Sequence, residues 1–265
     1  MVGDCEKLVA HVGKMKVTIL QTDIVWANPQ ENIKNATCLL DQNRGADLYV
    51  LPEMFSTGFA TRPAGIAESD GFSINWMKAM AQRQGCAIAG SVAIEESGRY
   101  YNRFYFVFPD GRVLHYDKRH LFTHGGEHKH FTAGQERVIV EYQGFRILLQ
   151  VCYDLRFPVF SRNRKDYDMV IYVANWPTVR LKAWTALLHA RAIENQCYTI
   201  GVNRTGDDPS CHYSGGSEII APWGETIAAC EQNTVGTATA EFGIESLLDF
   251  RQQFPVLEDG DSFSL

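Results

Sequence analysis

Apolar positions along this chain gather into short continuous runs, separated by turn residues and by stretches at helical spacing. Lys16 to Gln21 (KVTILQ) is β-branched and aliphatic and predicts a first buried strand. Asn28-Pro29 supplies a cap and a first helical proline, and Ile33, Ala36, Leu39 and Leu40 follow at helical spacing as far as Gly45. Asp47 to Leu51 predicts a second strand, ending at Pro52-Glu53. That β-α-β order favours a parallel pair with a right-handed crossover. A loop from Ser56 to Asp70, a helix from about Ser73 to Gln84 and a strand from Cys86 to Ile94 come next. Strands at 103–108 and 112–116 flank Pro109-Asp110-Gly111, a hairpin signal.

After an irregular stretch from Asp117 to Gln135, Val138–Tyr142 and Phe145–Val151 read as paired strands. A helical turn after Pro158, a strand at Met169–Val173, a helix from about Val179 to Asn195 and a strand at Tyr198–Val202 repeat the earlier logic. Glu218–Ala221, Thr226–Ala229 and Thr234–Ala240 read as strands, the first two joined by a Pro222–Glu225 turn. Ile244–Gln253 predicts a last helix, stopped by Pro255. No linker or repeat divides the pattern, so residues 15–265 are expected to form one domain, with two central sheets and helices outside. Residues 1–14 read as an extension or tag. They carry no long apolar stretch of the kind a secretory signal needs.

Composition narrows the classes. A 265-residue chain that is 45% hydrophobic and 21% charged suits a globular protein with a sizeable core. Its net charge of −6 argues against general affinity for nucleic acid or anionic membrane, and no run is long enough to span a bilayer. Seven cysteines, odd in number and scattered, make a poor disulfide framework or zinc ribbon. They fit buried free thiols in a reducing cytoplasm.

Chemistry collects where strands stop. The run Arg146 to Val151 delivers Cys152 to a strand end, followed by Tyr153-Asp154-Leu155-Arg156-Phe157-Pro158. Free cysteines are commonly inert core residues, but a strand-end thiol flanked by charge is a candidate nucleophile. An ordinary thiol needs a base or a positive charge to become a thiolate. Glu53, beside apolar neighbours at another strand end, is a candidate general base. The competing reading is an exposed loop glutamate. Lys118, after the hairpin, could stabilise an oxyanion or be a solvated turn residue. Glu127 is a second candidate carboxylate. Arg156 could clamp a substrate carboxylate or pair with a buried acid. Asn175-Trp176-Pro177 follows a strand and could form a pocket wall or a packed aromatic turn. His120, His124, His128 and His130 raise a metal site, yet they lack the H-E-x-x-H pattern and Gly125-Gly126 opposes a helix there.

Taken in order, Leu51-Pro52-Glu53, Tyr116-Asp117-Lys118-Arg119-His120-Leu121-Phe122 and Val151-Cys152-Tyr153-Asp154-Leu155-Arg156-Phe157-Pro158 resemble the signatures of the nitrilase superfamily of carbon–nitrogen hydrolases. Ala174-Asn175-Trp176-Pro177, Arg191–Asn195 and Gly215-Gly216-Ser217 add to the resemblance. It implies an α/β four-layer α-β-β-α sandwich that dimerises through the helical layer around the cysteine. It also implies a Glu53–Lys118–Cys152 catalytic set, an additional glutamate at Glu127, and a Tyr153 backbone amide that helps hold the oxyanion. No cofactor or metal is implied. The Cys-Tyr-Asp-Leu-Arg-Phe-Pro and Ala-Asn-Trp-Pro combination is similar to the omega-amidase branch. That similarity implies a small-molecule amide and water as reactants, with 2-oxoglutaramate as an example. Rival readings are a nitrilase or carbamoylase of neighbouring type, a papain-like Cys–His enzyme, and a catalytically silent binding protein on the same fold.

Overall fold

A computed structural model of the chain describes residues 13–263. Of the 14 residues read as an extension, 1–12 lie outside the described residues, and the first strand begins at Lys14. The first half runs β1 (Lys14–Gln21), α1 (Pro29–Gln42), β2 (Leu48–Val50), α2 (Phe72–Gln84), β3 (Ala87–Glu96), β4 (Arg99–Val107) and β5 (Val113–Asp117). A long loop with a 3-10 turn at Glu127–Lys129 leads to β6 (Ile139–Tyr142) and β7 (Phe145–Val151). A 3-10 turn at Cys152–Arg156 precedes α3 (Pro158–Ser161) and β8 (Met169–Ala174). Another, at Thr178–Arg180, precedes α4 (Leu181–Asn195) and β9 (Tyr198–Asn203). The chain ends with β10 (Thr205–Asp207), β11 (His212–Ser214), β12 (Glu218–Ile220), β13 (Thr226–Ala229), β14 (Gly236–Gly243) and α5 (Ile244–Gln253).

Two six-stranded mixed sheets form the centre, in the orders β14-β1-β2-β3-β4-β5 and β13-β12-β9-β8-β7-β6. The β1-α1-β2 unit is parallel, with Val17 opposite Leu48, and β7, β8 and β9 are parallel neighbours. Period-2 alternation divides single strands between two cores. Leu48 and Val50 of β2 join the cluster between the sheets, whereas Tyr49 joins the cluster beneath α1 and α2. Phe106 of β4 meets Tyr142 of β6 at 5.6 Å between ring centroids, and Phe145 of β7 meets Phe242 of β14 at 5.9 Å. These contacts cross between the sheets. Helices cover the outer faces, giving the α-β-β-α sandwich.

The structure differs from the sequence pattern in two hairpins. β3 and β4 extend to Glu96 and Arg99 and join through Ser97-Gly98, with φ of 53° and 73°. Positive φ at both residues matches the twist of a two-residue hairpin and carries both strands beyond the apolar run and the 103–108 strand that marked them in the sequence. The β10–β11 hairpin lies in a stretch (TGDDPSCHYS) with no apolar alternation to reveal it.

α4 can lie close on β9 because residue 201 is glycine. A Cβ there would fall 2.3 Å from Leu188 Cδ1 and 2.9 Å from Trp184 Cζ2. Gly201→Ala is therefore expected to destabilise the protein by about 1–3 kcal/mol in urea unfolding. Gly236→Ala, where a Cβ would meet nothing within 4 Å, should stay within about 0.5 kcal/mol.

Candidate active site

Ends of strands from both sheets converge at one place. β2 leads into Leu51-Pro52-Glu53, with the Leu51 amide still bonded to the Ala89 carbonyl at 2.8 Å. Lys118 follows β5, its amide donating to the Asn102 carbonyl at 3.0 Å. Cys152 and Asn175 follow the parallel neighbours β7 and β8. The Asn175 amide donates to Glu53 Oε2 at 2.8 Å, and its side-chain Nδ2 donates to the Glu53 carbonyl at 2.6 Å. One glutamate thus fastens the two sheets together at the site.

Lys118, Glu53 and Glu127 are all fully buried. The Lys118 ammonium donates to Glu53 Oε1 at 2.8 Å and to Glu127 Oε2 at 2.9 Å. Asn102 of β4 donates through Nδ2 to Glu53 Oε1 at 2.8 Å and to Glu127 Oε1 at 3.1 Å. Its own Oδ1 accepts from Ser91, and the Phe122 amide donates to Glu127 Oε2 at 2.6 Å. Each buried charge therefore has a partner, which burial at this depth requires. Burial opposes the lysine's charge, but Glu127 and Glu53 outweigh it and hold the ammonium above its ordinary pKa. Burial lifts the Glu127 carboxyl above its usual range against the pull of Lys118, and Glu53 adds to the rise.

Cys152 adopts φ of 45°, an uncommon conformation for a residue bearing a side chain, and is 9% exposed. Asp154 secures that bend. Its buried carboxylate accepts from the Val151 amide at 2.9 Å, the Tyr116 hydroxyl at 2.8 Å, the His120 amide at 3.0 Å and His120 Nδ1 at 2.8 Å. The cysteine turn is thereby joined to the segment that carries Lys118. The sulfur itself contacts the Asn175 carbonyl at 4.0 Å. Burial, and then Glu53, push the thiol well above its ordinary pKa, with Glu127 adding and Lys118 opposing. Two carboxylates outweigh one ammonium. The surroundings therefore disfavour the thiolate.

Cys152 opens onto a cavity of about 770 Å³, which Tyr153, Arg156, Asn175 and Trp176 also line. The Arg156 guanidinium lies 5.0 Å from the Trp176 ring centroid and has no ion-pair partner among the described residues. The buried-acid alternative for Arg156 falls away. Tyr153 packs edge-on to Phe122 and Phe157. Arg62 and Arg180 line the same cavity and were not singled out in the sequence, nor were Asn102 and Ser91. Asn102 lies mid-strand, where nothing local distinguishes it. Asp154 was noted only as a charge beside the thiol.

The four histidines do not assemble. His120 bonds Asp154 and stacks on Phe157 at 4.0 Å, and His124 lines the cavity. Among the described residues no group of three or more His, Cys, Asp or Glu is arranged to hold a metal, and no histidine hydrogen-bonds the Cys152 sulfur.

Residues 16–252 match the family described as carbon-nitrogen hydrolase. A Yersinia enterocolitica protein named Omega-amidase YafV is 48% identical over 252 residues, 95% of this chain and 98% of its own length. A Bacillus subtilis protein named 2-oxoglutaramate amidase is 36% identical, over 93% of this chain and 97% of its own length. XC1258 from Xanthomonas campestris is described as a CN-hydrolase superfamily protein with an arsenic adduct in the active site. It is 41% identical with a TM-score of 0.92, covering 95% of this chain and 99% of its own.

Removing the buried cation should be costly. Lys118→Met leaves two buried carboxylates facing each other and is expected to destabilise the protein by about 3–5 kcal/mol in urea unfolding. Adding Glu53→Gln and Glu127→Gln to the same chain should recover most of that loss, because the charges are then absent together.

Proposed function

The chain belongs to the carbon–nitrogen hydrolase family, and from that membership we infer that it is an omega-amidase, hydrolysing the terminal amide of small dicarboxylic acid monoamides such as 2-oxoglutaramate. Identity of 48% across 95% of the chain to an omega-amidase supports the substrate class. The observation that carries the chemistry is the buried Glu53–Lys118–Glu127 cluster behind a strand-end thiol that opens onto an arginine-bearing cavity.

We propose the following roles. Cys152 Sγ attacks the amide carbon while Glu53 takes the thiol proton, because burial and the adjacent carboxylates disfavour a preformed thiolate. The oxyanion forms beside Lys118. The ammonium donates to Glu53 Oε1 at 2.8 Å and to both oxygens of Glu127 at 2.9 and 3.2 Å, and the longest of these contacts is the one that yields to the developing charge. The Tyr153 backbone amide supplies a second donor. As the intermediate collapses, the C–N bond breaks and protonated Glu53 gives its proton to the leaving nitrogen, releasing ammonia. A thioester remains on Cys152. Glu53 next takes a proton from water as the water oxygen attacks the thioester. Collapse of that second intermediate expels the sulfur, which recovers its proton from Glu53, and the dicarboxylate leaves. Glu127 keeps Lys118 charged and fixed. Arg156, supported on Trp176, binds the free carboxylate, and Asn175 orients Glu53.

We also propose that two copies associate through the outer layer carrying α4, where Val159, Val179 and Ile193 are 55%, 86% and 54% exposed. Cytoplasmic residence is the matching proposal for a chain whose six described cysteines are all free thiols. Among the described residues no helix is long and apolar enough to cross a membrane.

Ammonia release should be much faster from 2-oxoglutaramate than from glutamine or simple nitriles. Intact mass should show an acyl adduct that disappears in Cys152→Ala, with turnover reduced by roughly 10⁴-fold or more. Turnover of a nitrile with none of 2-oxoglutaramate would overturn the substrate assignment. For the association, light scattering should give a dimer, shifted toward monomer by Val179→Glu with Ile193→Glu. A monomeric parent chain would refute that arrangement.

A further inference from the structure

The cavity in front of Cys152 is more positive than one carboxylate requires. Arg62, Arg156 and Arg180 line it and no aspartate or glutamate does, in a chain with a net charge of −6. None of the three has an ion-pair partner among the described residues, whereas the partly buried Arg103, Arg137, Arg146 and Arg251 are all paired with carboxylates. Arg62 and Arg156 are exposed and Arg180 is half-buried, and the last two rest on aromatic rings of the wall. The Arg156 guanidinium rests 5.0 Å from the Trp176 ring centroid, and the Arg180 guanidinium rests 5.4 Å from that of Phe122. Trp176 serves both, because its indole N–H also donates to the Arg180 carbonyl at 2.8 Å. The Trp176 amide is in turn held by Asn203 Oδ1 at 2.7 Å. One anchored aromatic residue therefore carries the Arg156 guanidinium and fixes the backbone of Arg180, whose own guanidinium rests on Phe122.

A linear monoamide places its amide at the sulfur and has a single ionised group at the other end. One guanidinium fork can satisfy that group. A carboxylate can also accept from two arginines, as Asp168 does from Arg146 and Arg251, but a 2-oxo acid offers the second arm a neighbouring acceptor of its own, the oxo oxygen. We propose that Arg180 is a specificity-determining residue, donating to the 2-oxo oxygen while Arg156 holds the carboxylate, so that 2-oxo acid monoamides are selected over the same chain without the oxo group. This deepens the omega-amidase reading and rests on it.

The test compares 2-oxoglutaramate with glutaramate, which has the same length and carboxylate but no oxo group, and with uncharged butyramide. Arg180→Met is expected to lower kcat/KM for 2-oxoglutaramate by about 10–100-fold, mainly through KM, as loss of a hydrogen bond to a charged donor would. That loss should exceed the loss on glutaramate by at least about tenfold. Arg156→Met should lower both acids together and spare butyramide. Equal loss on the two acids, or no loss on either, would overturn the role of Arg180. A fall on butyramide as large as that on 2-oxoglutaramate would also overturn it, by marking a structural effect. If the parent enzyme hydrolyses butyramide but neither acid, the underlying substrate reading fails instead, so the two failures are separable.

Discussion

A lysine ammonium enclosed by two carboxylates, all three without exposure to solvent, sets the terms for the rest of this molecule. Moving such charges out of water costs several kcal/mol per ion and is tolerable only where geometry and additional hydrogen bonds compensate. Here the compensation comes from distant parts of the chain: Asn102 from β4, the Phe122 amide from the long loop, and the Asn175 amide from the second sheet. The sandwich brings these together because strands of both sheets stop at the same edge. Displacing any of them would leave a buried charge short of a partner.

Cys152 belongs to this arrangement through electrostatics as well as position. Burial is the largest cause raising other thiols in this protein, at Cys86 and Cys197, both pushed up to about 12, and at Cys230, pushed up to about 11. At Cys152 the surroundings add a negative balance, since Glu53 and Glu127 together outweigh Lys118. That setting disfavours the thiolate, and under the roles proposed above Glu53 accepts the proton during attack. Its left-handed backbone is kept in place by Asp154, which gathers donors from the cysteine turn and from the lysine segment. The same carboxylate links nucleophile and ammonium mechanically.

The cavity has the opposite electrostatic sign to the cluster behind it. Among the described residues, arginines without ion-pair partners line the cavity in front of Cys152, and the acidic residues of the site stand on the protein side. An acyl chain with an ionised far end meets attraction at that end and a neutral thiol at its amide. Membership of the carbon–nitrogen hydrolases accounts for the buried cluster, and the omega-amidase reading accounts for the positive wall.

By itself the sequence determined the alternation of strands and helices, the two-sheet architecture and the residues at the strand ends. Continuous apolar runs, period-2 alternation and helical spacing are local properties, so Glu53, Lys118, Cys152 and Asn175 could each be picked out where a run stopped. The Ser97-Gly98 turn and the β10–β11 hairpin escaped because polar residues there hide an extended backbone. Only the tertiary structure decided which strand ends share a site, that Asn102 and Asp154 join its charges, and that Arg180 faces the same cavity as Arg156. It also decided the surroundings of the thiol: burial and the summed field of Glu53, Lys118 and Glu127, groups 25 to 99 positions away in the chain, push the Cys152 pKa up, and no local pattern encodes that sum.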